Sequence, residues 1–295
     1  MTRPSMAEIA AAEKIELSRL NQAAKNHFYG CANWVGYVGS IGALLLALCA
    51  PIALLEFPAA GPALGAIAGA WIFVTRFGLE RLRGEWQLKG VLAQEAFDCG
   101  VLGIDWNRSL ASPLPPEEIR GAAGELGDEA HGGPWYPSQG RDPWPISVLI
   151  CQRANAVWAA RQHRAFSYLL TALTVAWALF VVVLALLHGA SLGDFLTTLL
   201  LPSLPGFLDA TELSSRHLSL ANTREIINRE LEALIRSGSA TPMQIREVQD
   251  RLFALRRDGA PVPKIFYERI RADYDRDMHF GAGQMSAEAG TSGDS

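Results

Sequence analysis

The chain has 295 residues, of which 49% are hydrophobic and only 19% charged, with a formal net charge of −4. Soluble domains carry nearer a quarter charged residues, and a near-neutral chain has no global basic field for coating nucleic acid, so no DNA binding is expected. Three stretches, 26–55, 57–75 and 165–193, contain no Asp, Glu, Lys or Arg, and a bilayer core needs roughly 20 apolar residues.

The first predicted element is an amphipathic helix over 1–28, assigned with its linker to a cytosolic segment 1–30. Ile9, Ala12, Ile15, Leu17 and Leu20 recur at near-helical spacing among Lys14, Arg19 and Lys25. It suits packing on the polar part of the chain or lying on a membrane surface. A first span is predicted over 34–55 and a second over 59–79, with the turn EFPAAGP between them. Two spans joined this closely make a helical hairpin. Small residues fall in register on both: Gly39, Ala43 and Ala47 on the first, Gly61, Gly65 and Gly69 on the second. Such faces let helix backbones approach in lipid.

A polar insert, 80–164, follows. It opens with a helix leaving the second span. The segment DCGVLGIDWN then reads as strand-like and ends in a turn, and the Pro/Gly-rich stretch from Ser112 to Pro145 reads as a loop. A helix from about Pro145 leads without a breaker into the third span, 165–187. The fourth apolar segment, FLTTLLLPSLPGFL, has two prolines and is short; extended to 191–210 it can cross. The remainder, 211–282, is polar and helical: a helix to Ser237, a break, a helix capped by Thr241 with Pro242 at its first position, and a last helix over 265–280. The tail 283–295 is small, polar and expected to be disordered.

Lysines and arginines set the topology. The N-terminal segment holds 4, residues 76–164 hold 10 (the insert with Arg76 at the end of the second span) and the C-terminal part 12 of the 26, and the two short connections hold none. The positive-inside rule then places both termini and the insert in the cytoplasm, provided that the fourth segment crosses. The predicted fold is mainly α: a four-helix transmembrane bundle of two helical hairpins, with a cytosolic insert between spans 2 and 3 and a helical C-terminal cytosolic region.

Catalytic signatures are missing. There is no nucleophile elbow, P-loop or HExxH, the six histidines are far apart, and the four cysteines form no CxxC pair. The reading is not an enzyme, with no cofactor and no metal site. The predicted spans carry no ionisable groups in their middles for coupled transport, only Arg76, Asp194 and Asp209 near their ends, and one four-helix protomer is too small to enclose a lumen, so a pore needs self-association. Aromatic residues concentrate in the insert: Trp86, Trp106, Trp135, Tyr136, Trp144 and Trp158. Arg153, Arg161 and Arg164 fall within about 80° of one helix face. Aromatic faces stack on bases and arginines pair with phosphates. The alternative is a small core with arginines at the headgroup boundary, and both readings stay open.

Four segments in order carry a family resemblance: QEAFDCGVLGIDWN (94–107), PWYP (134–137), ICQRANAVW (150–158) and VQDRLFALRRDGAPVPKIFYERIR (248–271). Around two pairs of spans they resemble the SMODS-associated four-transmembrane effector family, pore-forming effectors of CBASS-type antiphage systems. The resemblance implies an effector held in the bacterial inner membrane, which answers a cyclic oligonucleotide made by a partner nucleotidyltransferase, permeabilises the membrane and arrests the infected cell. The family carries no catalytic residues to transfer. The candidate signal-sensing residues are Asp98, Asp105, Trp106, Asn107, Trp135, Tyr136, Gln152, Arg153 and Asn155. A membrane-anchored sensor or scaffold without pore activity is the alternative.

Overall fold

The computed structural model describes residues 2–124, 135–136, 142–263, 266, 269, 281 and 283–286. Among these there is no strand. In chain order the helices are α1 (Met6–Ala12), α2 (Glu16–Glu56), α3 (Gly61–Val74), α4 (Glu80–Leu102), α5 (Pro116–Ala123), α6 (Ile146–Leu187), α7 (Leu192–Asp194), α8 (Leu201–Ser237) and α9 (Pro242–Arg257). One π turn, Thr75–Leu79, joins α3 to α4, and another, Phe195–Leu200, joins α7 to α8. Three helices are long and apolar enough to cross a membrane: Glu16–Leu54, Gly61–Leu102 and Ile146–Leu187. The chain divides into two compact units. An apolar unit comprises Cys31–Glu85 and Arg164–Leu218; a polar unit comprises Met1–Gly30, Trp86–His163 and the chain from Ser219 onward.

In the apolar unit, α2 packs antiparallel along α3, the π turn after it and the start of α4, and the contact runs along a glycine column. A Cβ on Gly36 would meet Arg83 at 3.5 Å, one on Gly39 would meet Thr75 at 3.6 Å, and one on Gly42 would overlap the Trp71 indole. Gly61 faces Leu54, and Ala47 faces Gly206 of α8 at 3.5 Å. Gly65 and Gly69 have open space where a side chain would be, so this part of the small-residue pattern is not a packing face within the chain. Isoleucines, phenylalanines and leucines on α2, α3 and α6 are widely exposed, among them Phe73 at 64% and Leu186 at 75%. Apolar surface on that scale suits lipid rather than water.

The fourth apolar segment is helical throughout. After Gly189 turns the chain at φ +60°, the Ser191 side chain caps the next helix in a reciprocal box with Asp194. Pro202 and Pro205 lack amide hydrogens, and the π turn immediately before them re-routes the helical bonds. Its two acids are both used: Asp194 in that cap, and Asp209 in a 3.0 Å ion pair with Arg76. Hydroxyls bind α6 to α8, with Ser167 and Thr171 bonded to Ser214 at 2.9 and 2.8 Å.

The main core of the polar unit takes Met6, Phe97, Leu149, Ile227, Leu231 and Leu252 from α1, α4, α6, α8 and α9. Three expectations are corrected here. Residues 98–102 are the last turn of α4 rather than a strand, and Gly103, at φ +64°, ends that helix. The N-terminal helix is interrupted: α1 ends at Ala12, and from Glu16 a single helix runs on through the first apolar stretch. Residues 112–145 are not wholly loop, because α5 packs Ile119 against Ala24, Phe28 and Ala93. By contrast the helix leading into the third span and the Thr241–Pro242 start of α9, with its capping box to Gln244, are as expected. Most of 265–280 and of the tail lies outside the described residues.

Candidate functional site

The polar unit holds a buried network made by α4, α6, α9 and Tyr136. On α4, Glu95 and Asp98 are three residues apart and so share a face; they are 2% and 0% exposed. On α9, Arg246, Gln249 and Arg256 follow at spacings of three and seven, interleaved with the core residues Ile245, Val248 and Leu252. Asp98 accepts from the Tyr136 hydroxyl at 2.7 Å, Gln249 at 3.1 Å and Arg256 at 2.6 Å. Glu95 accepts from Arg246 at 2.6 Å and from Gln249 at 2.9 Å. Gln152 of α6 donates to the Ile245 carbonyl at 3.0 Å and to Gln249 Oε1 at 3.2 Å, and Asn155 donates to the Tyr136 hydroxyl at 3.1 Å. The Gln249 amide thus bridges α4 and α6 by itself.

The electrostatics follow from this geometry. Burial works against the Arg256 charge, yet Asp98, assisted by Tyr29, Tyr136 and Glu95, holds its guanidinium above the ordinary value. The same opposition, with Glu95 as the partner, leaves Arg246 raised. Burial, then the negative charge of Asp98, pushes the Tyr136 hydroxyl up, so it stays a donor at neutral pH. Arg224 of α8 is the contrasting case: burial, then the neighbouring Arg256, pull it down to about 10. It donates to the Leu255 carbonyl, and the Gln87 side chain reaches the carbonyls of Arg256 and Arg257. Together these satisfy the otherwise bare C-terminal carbonyls of α9.

The nine sequence-derived candidates divide into groups. Asp98, Tyr136, Gln152 and Asn155 meet in the network. Asp105, Trp106 and Asn107 form the turn after α4 and fasten it: the Asp105 carbonyl accepts from Arg246 at 2.9 Å, Trp106 donates to the Ala111 carbonyl at 2.7 Å, and Asn107 donates to Asp250 at 2.8 Å. Trp135 lies elsewhere, edge-on to Trp158 and under the ammonium of Lys25, 3.4 Å from its ring centroid. Arg153 is engaged by Glu232 of α8 through two nitrogens at 2.8 and 3.2 Å. Sequence reasoning missed Glu95, Arg246, Gln249 and Arg256. The available signal was their recurrence on the apolar face of α9 and the inner face of α4.

Among the described residues no group of His, Cys, Asp and Glu could hold a metal ion. The network ties α4, α6 and α9 to one another. Most of its hydrogen bonds join one helix to another, so the helices keep or change register together.

A family model described as the SMODS-associating 4TM effector domain matches residues 7–285. A protein of Bacillus cereus (strain VD146), described as a probable CBASS effector molecule, is 26% identical over 196 residues. The match covers 65% of this chain and 66% of that relative, slightly under two thirds of its length. No solved structure matches.

Proposed function

Because the chain belongs to the SMODS-associating 4TM effector family, we propose that it is a membrane effector of CBASS-type antiphage defence. It permeabilises the inner membrane when a cyclic oligonucleotide from a partner nucleotidyltransferase reaches the polar unit. Four segments cross, the fourth being 191–210, and both termini and the insert lie in the cytoplasm. The small residues left open on α3, Gly65 and Gly69, meet a second copy in the assembled pore.

The observation that carries this reading is the continuity of α6. Its first turns hold Gln152 and Asn155 of the network, and the same helix runs unbroken to Leu187 at the end of the third apolar stretch. A ligand acts on such a device only through tighter binding to the open form. A tilt imposed on the network end passes along the rod, since no proline or glycine interrupts it.

The test is induced expression in bacteria loaded with a potential-sensitive dye, with and without a co-expressed cyclic-oligonucleotide synthase. Loss of potential within minutes of signal production, and none with the synthase alone, is the expected outcome. Polarised cells with membrane-inserted effector and abundant signal would leave a sensor without pore activity.

A further inference from the structure

Glu13 sits in the turn between α1 and α2, and its side chain is turned inward, the residue being 9% exposed. Both carboxylate oxygens are taken by consecutive backbone amides: the Tyr136 N–H donates to Oε1 at 2.8 Å and the Trp135 N–H to Oε2 at 2.9 Å. Two successive N–H groups aimed at one oxyanion form an anion-binding concavity. Lys25, 3% exposed, brings its ammonium over the Trp135 ring. Paired amide donors, a buried cation and an aromatic face are the parts from which proteins build nucleotide phosphate sites.

We propose that this is an oxyanion site for a phosphodiester of the signal molecule, and that Glu13 fills it as an internal ligand in the resting state. The proposal rests on the cyclic-oligonucleotide reading above and assigns that signal a place. Burial raises the Glu13 carboxyl above the usual carboxylate range, although the two amides and Lys25 act in the other direction. Keeping Glu13 charged there has a cost. A phosphodiester, a far stronger acid, stays ionised and accepts the same two N–H bonds.

Exchange of the two anions has consequences on both sides. Tyr136 holds Glu13 with its backbone and Asp98 with its hydroxyl, so a change at one is felt at the other. Releasing Glu13 frees the turn that leads into α2, where Ile15 and Leu17 are 58% and 64% exposed. Arg153, already engaged by Glu232, is not required for the exchange.

The test compares the purified full-length chain in detergent with Glu13→Ala, Glu13→Gln and the double variant Glu13→Ala/Lys25→Met. Binding of inorganic pyrophosphate and of a cyclic dinucleotide is titrated by calorimetry. Removing the internal carboxylate tightens pyrophosphate binding at least tenfold, and adding Lys25→Met cancels the gain. Glu13→Gln, which keeps the side chain's shape, shows a smaller gain in the same direction and stands in if the alanine variant does not fold. Equal pyrophosphate affinity in the wild type and both single variants overturns the proposal. A cyclic dinucleotide that binds all four chains equally overturns it too, while leaving the nucleotide trigger intact. The expected pyrophosphate gain with no dinucleotide binding anywhere supports the anion site and removes that dinucleotide as the signal.

Discussion

Asp98→Ala destabilises the polar unit by about 3–5 kcal/mol, the usual cost of removing one partner from a buried ion pair. The carboxylate is fully buried and receives Arg256, Gln249 and the Tyr136 hydroxyl. Its removal strands the Arg256 charge, for which Glu95 is a poor substitute at 3.9 Å. Hydrogen exchange of the α9 amides measures the loss directly, with protection falling by about two to three and a half orders of magnitude at about 1.4 kcal/mol per tenfold. Arg81→Ala is the control: it breaks an ion pair with Glu85 in which both side chains are more than half exposed, and it leaves α9 protection nearly unchanged. Equal, small effects from the two substitutions would mean that the network is not a structural lock.

Gly42→Val is the second large effect. The new Cβ would stand inside the Trp71 indole, and overpacking of this kind costs about 1–3 kcal/mol even where neighbours adjust. The α2·α3 pair has to splay or Trp71 has to swing out, so the Trp71 emission changes and proteolysis at the 57–60 turn accelerates. Gly65→Val, with nothing within 4 Å to meet, leaves both readouts as in the wild type. If it lowers chemical cross-linking between copies, the open face of α3 is the contact between protomers. Matching behaviour of the two variants in the fold assays would contradict the glycine column.

The contrast between Gly42 and Gly65 shows what the sequence could and could not convey. Small residues at a four-residue spacing were visible on both spans, but the contact uses Gly36, Gly39 and Gly42, spaced by three. A one-dimensional pattern does not say which stripe faces the partner. Helix extents were legible wherever a breaker or cap marks them, as at Thr241–Pro242 or Gly238. They were not legible at residues 98–102, where a short apolar run fits a strand or a buried helix end equally. The Glu13–Ile15 break carries no glycine or proline, and it coincides with a side chain drawn toward Trp135 and Tyr136 across the fold. The network was hidden for a related reason. Arg256 reads as a surface cation until Asp98, 158 residues away along the chain, is placed beside it.

Epitope tags inserted after Phe57 and after Gly189, in otherwise functional protein, test most directly whether four segments cross with every basic residue on one side. In cells whose outer membrane is opened but whose inner membrane is intact, both tags bind antibody, while a tag at the C-terminus binds only after lysis. A C-terminal tag reached together with the Phe57 tag would show that the fourth segment does not cross. Tags at 57 and 189 reached only after lysis would contradict the membrane arrangement altogether.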